Sequence, residues 1–219
     1  NAYNIQDIIK RIMVNTKVIQ IGYYPSLYGV DVRFTGKDKL IIDKLVDSVY
    51  ENIGNNIYAE GQINLEQVII DLAIEKKITI AIAESCTGGL IGNRITNVSN
   101  SSKAFMGGFM VYSNKSKVDI LGVENKCLEQ YGAVSKEVAI QMAKNVRKQF
   151  NSTYGLSVTG IAGPGGGSTE KPVGLVYIGL SDTNTTFVRK FNFTKYREHN
   201  KIKASQASLN FLRETIINE

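Results

Sequence analysis

The chain has 219 residues, of which 43% are hydrophobic and 21% charged, and this composition suits one large globular domain or a small one followed by a medium one. Its longest apolar runs, 78–83 and 173–180, fall far short of the roughly 20 residues a membrane-spanning helix needs, and no charged-then-apolar leader opens it, so a cytoplasmic setting is expected. The net charge of +6 fits either a solubilising surface or attraction for an anionic ligand.

In chain order, Ile5, Ile8, Ile9 and Ile12 predict a helix over residues 4–14, and Tyr28, Val30, Val32 and Phe34 alternate as a half-buried strand does. Leu40, Ile41, Leu45, Val46 and Val49 lie on one face of a predicted helix over 37–53, which Gly54 is expected to end in the left-handed conformation. Residues 1–60 thus read as a small α+β unit. A boundary follows, where Asn64 is placed to cap a helix over 65–76 while Gln67 reaches back as in a capping box. The second unit, 62–219, alternates between the two periods. Its predicted elements are strand 78–83, helix 88–96, strand 109–112, helices near 115–121 and 124–130, helix 136–149 behind Ser135, strands 154–158, 173–180 and 186–193, and a final helix over 198–217. Apolar runs bounded by helices predict a three-layer α/β sandwich, with the last two strands forming an antiparallel hairpin in a mixed sheet.

Three strand ends carry polar clusters, and ligands of open α/β sheets collect at such ends. The first is Glu84-Ser85-Cys86-Thr87-Gly88-Gly89. Ser85 is placed there as a nucleophile, beside helix amides that stabilise an oxyanion; equally, Ser85 and Thr87 could only cap the helix. The second cluster, Tyr112 to Lys117, offers Lys115 and Lys117. Either lysine could act as a base once desolvated, and either could be a solvated surface group. The third, Ser157 to Ser168, is glycine-rich and lets backbone approach a phosphate or a ring, or is simply a turn; it matches neither the P-loop nor the dinucleotide fingerprint. Cys86 and Cys127 have no metal-ligand spacing, and the one histidine, His199, sits in a polar run, so neither zinc nor histidine chemistry is expected. Cys86 is the rival nucleophile to Ser85.

Five short motifs lie in one contiguous stretch: Ala83 to Gly89; Tyr112-Ser113-Asn114 with Lys117; Gly132 to Ser135; Thr159 to Pro164; and Lys171 to Gly174. In this order and spacing, over about residues 62–217, they resemble the C-terminal domain of the CinA family (competence/damage-inducible protein A), known as a nicotinamide mononucleotide deamidase. Residues 1–60 resemble the KH-type segment that precedes that domain in long members. They lack the Gly-x-x-Gly loop with which such folds bind RNA, so no nucleic-acid partner is expected.

The resemblance implies an amidohydrolase that converts nicotinamide mononucleotide to nicotinic acid mononucleotide and ammonia. Ser85 would be its nucleophile, Lys117 the base, and Tyr112 the residue beside them. Substrate binding falls to Thr87, Gly88 and Gly89 in the first motif, to Ala133, and to Thr159, Gly160 and Gly163. Arg197 joins them, with Lys201 as a second cation for the phosphate. No metal or cofactor is called for, and a homodimer is implied. Two other classes stay open: a nucleotide- or RNA-binding module without turnover, and a phosphoester hydrolase that would need divalent cations held by carboxylates.

Overall fold

The computed structural model describes residues 7, 19–194 and 196–218. The chain divides into two compact units, Asn1–Gln62 and Ile63–Glu219. Except for Asp7, the helix expected over 4–14 lies outside the described residues.

In the first unit, strands β1 (Gln20–Pro25) and β2 (Val30–Thr35) pair antiparallel, and helix α1 (Lys39–Ile53) follows. The alternation that starts at Tyr28 marks β2. Strand β1 has no comparable pattern and was not predicted. Asp38 caps α1, its carboxylate accepting from the amides of Leu40 and Ile41. Gly54 does not end this helix in the expected left-handed conformation: its φ is −42°, and it opens a short 3-10 turn, Gly54–Asn56.

The second unit is a three-layer α/β sandwich around a five-stranded mixed sheet in the order β4-β3-β5-β6-β7. Its strands are β3 (Ile80–Glu84), β4 (Phe105–Met110), β5 (Tyr154–Gly160), β6 (Leu175–Ser181) and β7 (Thr186–Asn192). Strand β3 runs parallel to both neighbours and every residue in it is buried, which is why it reads as an unbroken apolar run. The expected hairpin of the last two strands is present, β6 pairing antiparallel with β7.

Side chains alternate across β3. On one side, Ala81 and Ala83 pack with Val138, Met142 and Val146 of α6 (Lys136–Phe150). Burial of such side chains stabilises the fold by about 1.5–3 kcal/mol each. On the other side lie Ile82 and Glu84, against the start of the short helix α3 (Leu90–Thr96). Helices α2 (Leu65–Glu75) and α7 (Arg197–Ile217) complete that outer layer. Two further short helices, α4 (Asn114–Asp119) and α5 (Asn125–Tyr131), connect β4 to α6.

Two local expectations fail. Asn64 precedes α2 but its side chain makes no cap, and Gln67 Nε2 reaches down the helix to Asp71 (2.8 Å) instead of back. Strand β4 starts at Phe105, four residues before the predicted start, and contains Gly107 and Gly108, which read as strand breakers. Gly108 is required there. A Cβ at that position would lie 2.5 Å from the carbonyl oxygen of Ile82, so the close approach of β4 to β3 excludes any side chain.

Candidate active site

The carboxyl ends of β3 and β5 and the segment after β4 converge on one pocket of about 230 Å3. Ser85, Tyr112, Lys117, Ala133, Thr159, Gly160 and Arg197 line it, together with Cys86, Val134 and Ala162. Seven of the twelve expected site residues therefore share a single cavity. Thr87, Gly88, Gly89, Gly163 and Lys201 do not line it.

Ser85 follows β3 directly. Its amide donates to the carbonyl of Val158 at the end of β5 (3.0 Å), which fixes the turn across the sheet. Lys117 comes from α4, whose start is held by a reciprocal capping box between Ser113 and Ser116. Its side chain is buried, and Nζ donates to Ser85 Oγ (3.0 Å), to the carbonyl of Val111 (2.8 Å) and to that of Tyr112 (3.2 Å). No salt bridge to Lys117 occurs among the described residues. Burial without a counter-charge lowers its pKa to about 8. Lys115, the other candidate, is exposed and ion-paired with Asp119. His199 is exposed, against the ring of Tyr196.

This geometry suits base catalysis. An ammonium has three N–H donors, and all three have acceptors here. When Lys117 loses a proton, the two carbonyls retain the remaining hydrogens and the lone pair is left pointing at Ser85 Oγ. Cys86, the rival nucleophile, is in the opposite condition. Burial pushes its thiol up to about 12, helped by the nearby Glu84 carboxylate, so it is not a thiolate near neutrality.

The glycine turn is arranged differently from the expectation that its amides hold an oxyanion. The amide of Gly88 donates to the carbonyl of Ser85 (3.1 Å) and that of Gly89 to Glu84 Oε2 (3.0 Å). The amides of Cys86 and Thr87 have no oxygen acceptor among the described residues, and of the two residues only Cys86 lines the pocket. Thr87 is fully buried with its hydroxyl unpartnered.

The mouth of the pocket is cationic. Arg197, in the first turn of α7, donates to the carbonyl of Gly163 (2.7 Å) and to the hydroxyl of Tyr112 (2.9 Å). Gly163 thus supports Arg197 and does not itself line the cavity. Both partners are neutral, and no salt bridge to Arg197 occurs among the described residues. Lys201, one turn further on, brings Nζ within 3.6 Å of where a Cβ on Gly88 would stand. Deeper in, Thr159 Oγ1 donates to the carbonyl of Ala133 (2.7 Å), tying the end of β5 to the loop before α6.

Val134 and Ala162 went unrecognised because they are small apolar residues with no chemical signature. Glu84 was noticed only as part of a polar run, and its three acceptor bonds depend on a turn that the sequence does not display. Among the described residues, no group of three or more His, Cys, Asp or Glu side chains could hold a metal ion.

A mixed α/β sheet with a buried serine–lysine pair at its strand ends defines the class of this protein. The particular family follows from comparison. The family model for the CinA C-terminal domain matches residues 62–216, and the chain belongs to this family. It is 44% identical over 202 residues to a putative competence-damage inducible protein of Clostridium perfringens, covering 90% of this chain and 49% of that protein. Over 220 residues it is 40% identical to a protein of the same description from Caldicellulosiruptor bescii, covering 98% of this chain and 54% of that one. The chain thus spans about half the length of these relatives.

Among solved structures, the competence/damage inducible protein CihA of Agrobacterium tumefaciens matches with a TM-score of 0.68 at 36% identity, over 71% of this chain and 94% of that one. A CinA superfamily protein of Escherichia coli gives a TM-score of 0.68 at 26% identity, over 75% and 98% respectively.

Proposed function

We propose that this chain is a nicotinamide-nucleotide amidase that hydrolyses the carboxamide of nicotinamide mononucleotide, releasing ammonia and nicotinic acid mononucleotide. The observation that carries this reading is the 3.0 Å contact between Ser85 Oγ and a buried Lys117 that has no counter-charge. Neutral Lys117 takes the Ser85 proton as Oγ bonds to the carboxamide carbon. The amide of Cys86 is left to receive the oxyanion, and Tyr112 has its own hydroxyl proton to give because it accepts from Arg197. The Lys117 ammonium then protonates the departing nitrogen, and ammonia leaves an ester on Ser85. Water, deprotonated by Lys117, cleaves that ester and restores the serine.

The charge of Arg197, with Lys201 beside the turn, supports an anionic substrate such as a nucleotide phosphate. A cytoplasmic homodimer belongs to the same reading. Among the described residues, no helix is long and apolar enough to cross a membrane.

The test is ammonia release from nicotinamide mononucleotide by the purified chain, with and without a chelator, beside Ser85→Ala. We expect chelator-resistant release that the substitution lowers by about 10³-fold or more while the fold is kept. Release that survives the substitution would discard Ser85 as nucleophile. No release from well-folded protein would favour a binding role, and a strict need for a divalent cation would favour a phosphoester hydrolase.

A further inference from the structure

Glu84 is the one acid at the strand end that carries Ser85, and it faces away from the pocket. Its side chain is 2% exposed. Oε2 accepts from the amides of Gly89 (3.0 Å) and Ile91 (3.1 Å), and Oε1 from that of Gly92 (2.8 Å). Its own carbonyl accepts from the amide of Val111 (2.8 Å), one residue before Tyr112. A buried carboxylate with three amide bonds forms a strong, geometrically exacting anchor. The span it closes, residues 85–88, contains the nucleophile and ends on Gly88 and the closing Gly89 at φ of +64° and +91°, where side chains are strained.

We infer that Glu84 is a positioning residue for Ser85: by binding the amides of Gly89, Ile91 and Gly92 it fixes the turn that aims Ser85 Oγ at Lys117, and it withholds those amides from substrate. The inference rests on the serine-amidase reading of the same site. It assigns the amide of Cys86, and not those of the glycines, to the developing oxyanion. It also explains how a carboxylate can neighbour the nucleophile without serving as the counter-ion of Lys117, since its lone pairs are turned to the start of α3.

Glu84→Gln is the informative change. It keeps the shape, but its amide group must point N–H at either Gly92 or the Gly89 and Ile91 pair, setting donor against donor. The variant and the native chain are compared by the rate at which a fluorophosphonate modifies Ser85, followed by intact mass with Ser85→Ala as the blank. Alongside this, kcat and KM are measured for nicotinamide mononucleotide. Labelling and kcat should both fall about tenfold or more, with KM changed by less than about threefold and a native circular dichroism spectrum. A helix cap with no positioning role would lower the melting temperature and leave both rates of the folded protein in place.

A smaller fall in labelling by folded Glu84→Gln overturns the inference, and so does a native chain whose Ser85 does not react at all. Should the Gln variant not fold, Glu84→Asp, which keeps the charge but is one methylene short of Gly92, carries the same prediction. If native Ser85 is labelled but no ammonia is released, the substrate assignment fails while the labelling comparison still decides the role of Glu84.

Discussion

At the scale of single residues, the proposed chemistry turns on Lys117, whose titration is observable twice. As a base it must be neutral, so kcat/KM should rise with pH through a midpoint near 8, the value to which burial lowers it. The same shift enters stability with a definite sign. The folded pKa lies below the unfolded value of about 10.4, so between those limits the unfolded chain binds the extra proton and stability rises with pH. Relative to Lys117→Met, the native chain should therefore gain about 3 kcal/mol between pH 7 and pH 10.5, read from urea unfolding at several pH values. A difference that stays flat would show that Lys117 titrates normally. Cys86→Ala, in contrast, should keep more than about a third of the activity, because a thiol near 12 offers no nucleophile at neutral pH. Ser85 and the two lysines, Lys115 and Lys117, were legible in the sequence as candidates because they follow apolar runs. The choice of Lys117 over Lys115 came only from the resemblance. In the structure, Lys117 is buried against Ser85 and Lys115 pairs with Asp119 at the surface.

At the scale of elements, the outer layer that supports the serine turn is joined by one buried arginine. Arg94 of α3 bonds Glu66 of α2 (2.7 Å) and both Ser205 (2.9 Å) and Gln206 (2.8 Å) of α7. Arg94→Met should destabilise the chain by about 3 kcal/mol, because it leaves Glu66 largely buried without its partner. A loss below about 1 kcal/mol in urea unfolding would show that the network holds nothing together. Elements with strong patterns were read well: β3 by its unbroken apolar run, α6 by its buried stripe behind the Ser135 cap, β6 and β7 as a hairpin. Strands β1 and β4 were missed or displaced for physical reasons. Strand β1 carries Gly22 and ends at Pro25, and β4 needs the glycines that propensity counts against it, since its neighbour leaves no room for a Cβ at Gly108. Capping was the weakest inference, since Asn64 makes no side-chain cap and Gly54 continues into a 3-10 turn at negative φ, and residue type alone fixes neither outcome.

At the scale of the whole molecule, charge is unevenly divided. Residues 1–62 carry seven cationic and seven anionic side chains, while 63–219 carry nineteen and thirteen, so the entire net charge of +6 lies in the unit that holds the pocket. On net charge, the second unit is the better suited of the two to draw in a small anion. Every residue lining the pocket lies between Ser85 and Arg197. Residues 63–219 expressed alone should therefore keep kcat/KM for nicotinamide mononucleotide within about threefold of the full chain. In the proposed reaction the exposed Arg197 at the mouth attracts the anionic substrate through solvent, where the Debye length falls from about 30 Å at 0.01 M salt to about 10 Å at 0.1 M. Raising salt over that range should increase KM and leave kcat nearly constant, because Lys117 is buried and little screened. In Arg197→Met the KM should be higher at every salt concentration and its dependence on salt shallower. A KM indifferent to salt in the native chain would mean that the phosphate is recognised elsewhere, and the charge of the second unit would then be a matter of solubility alone.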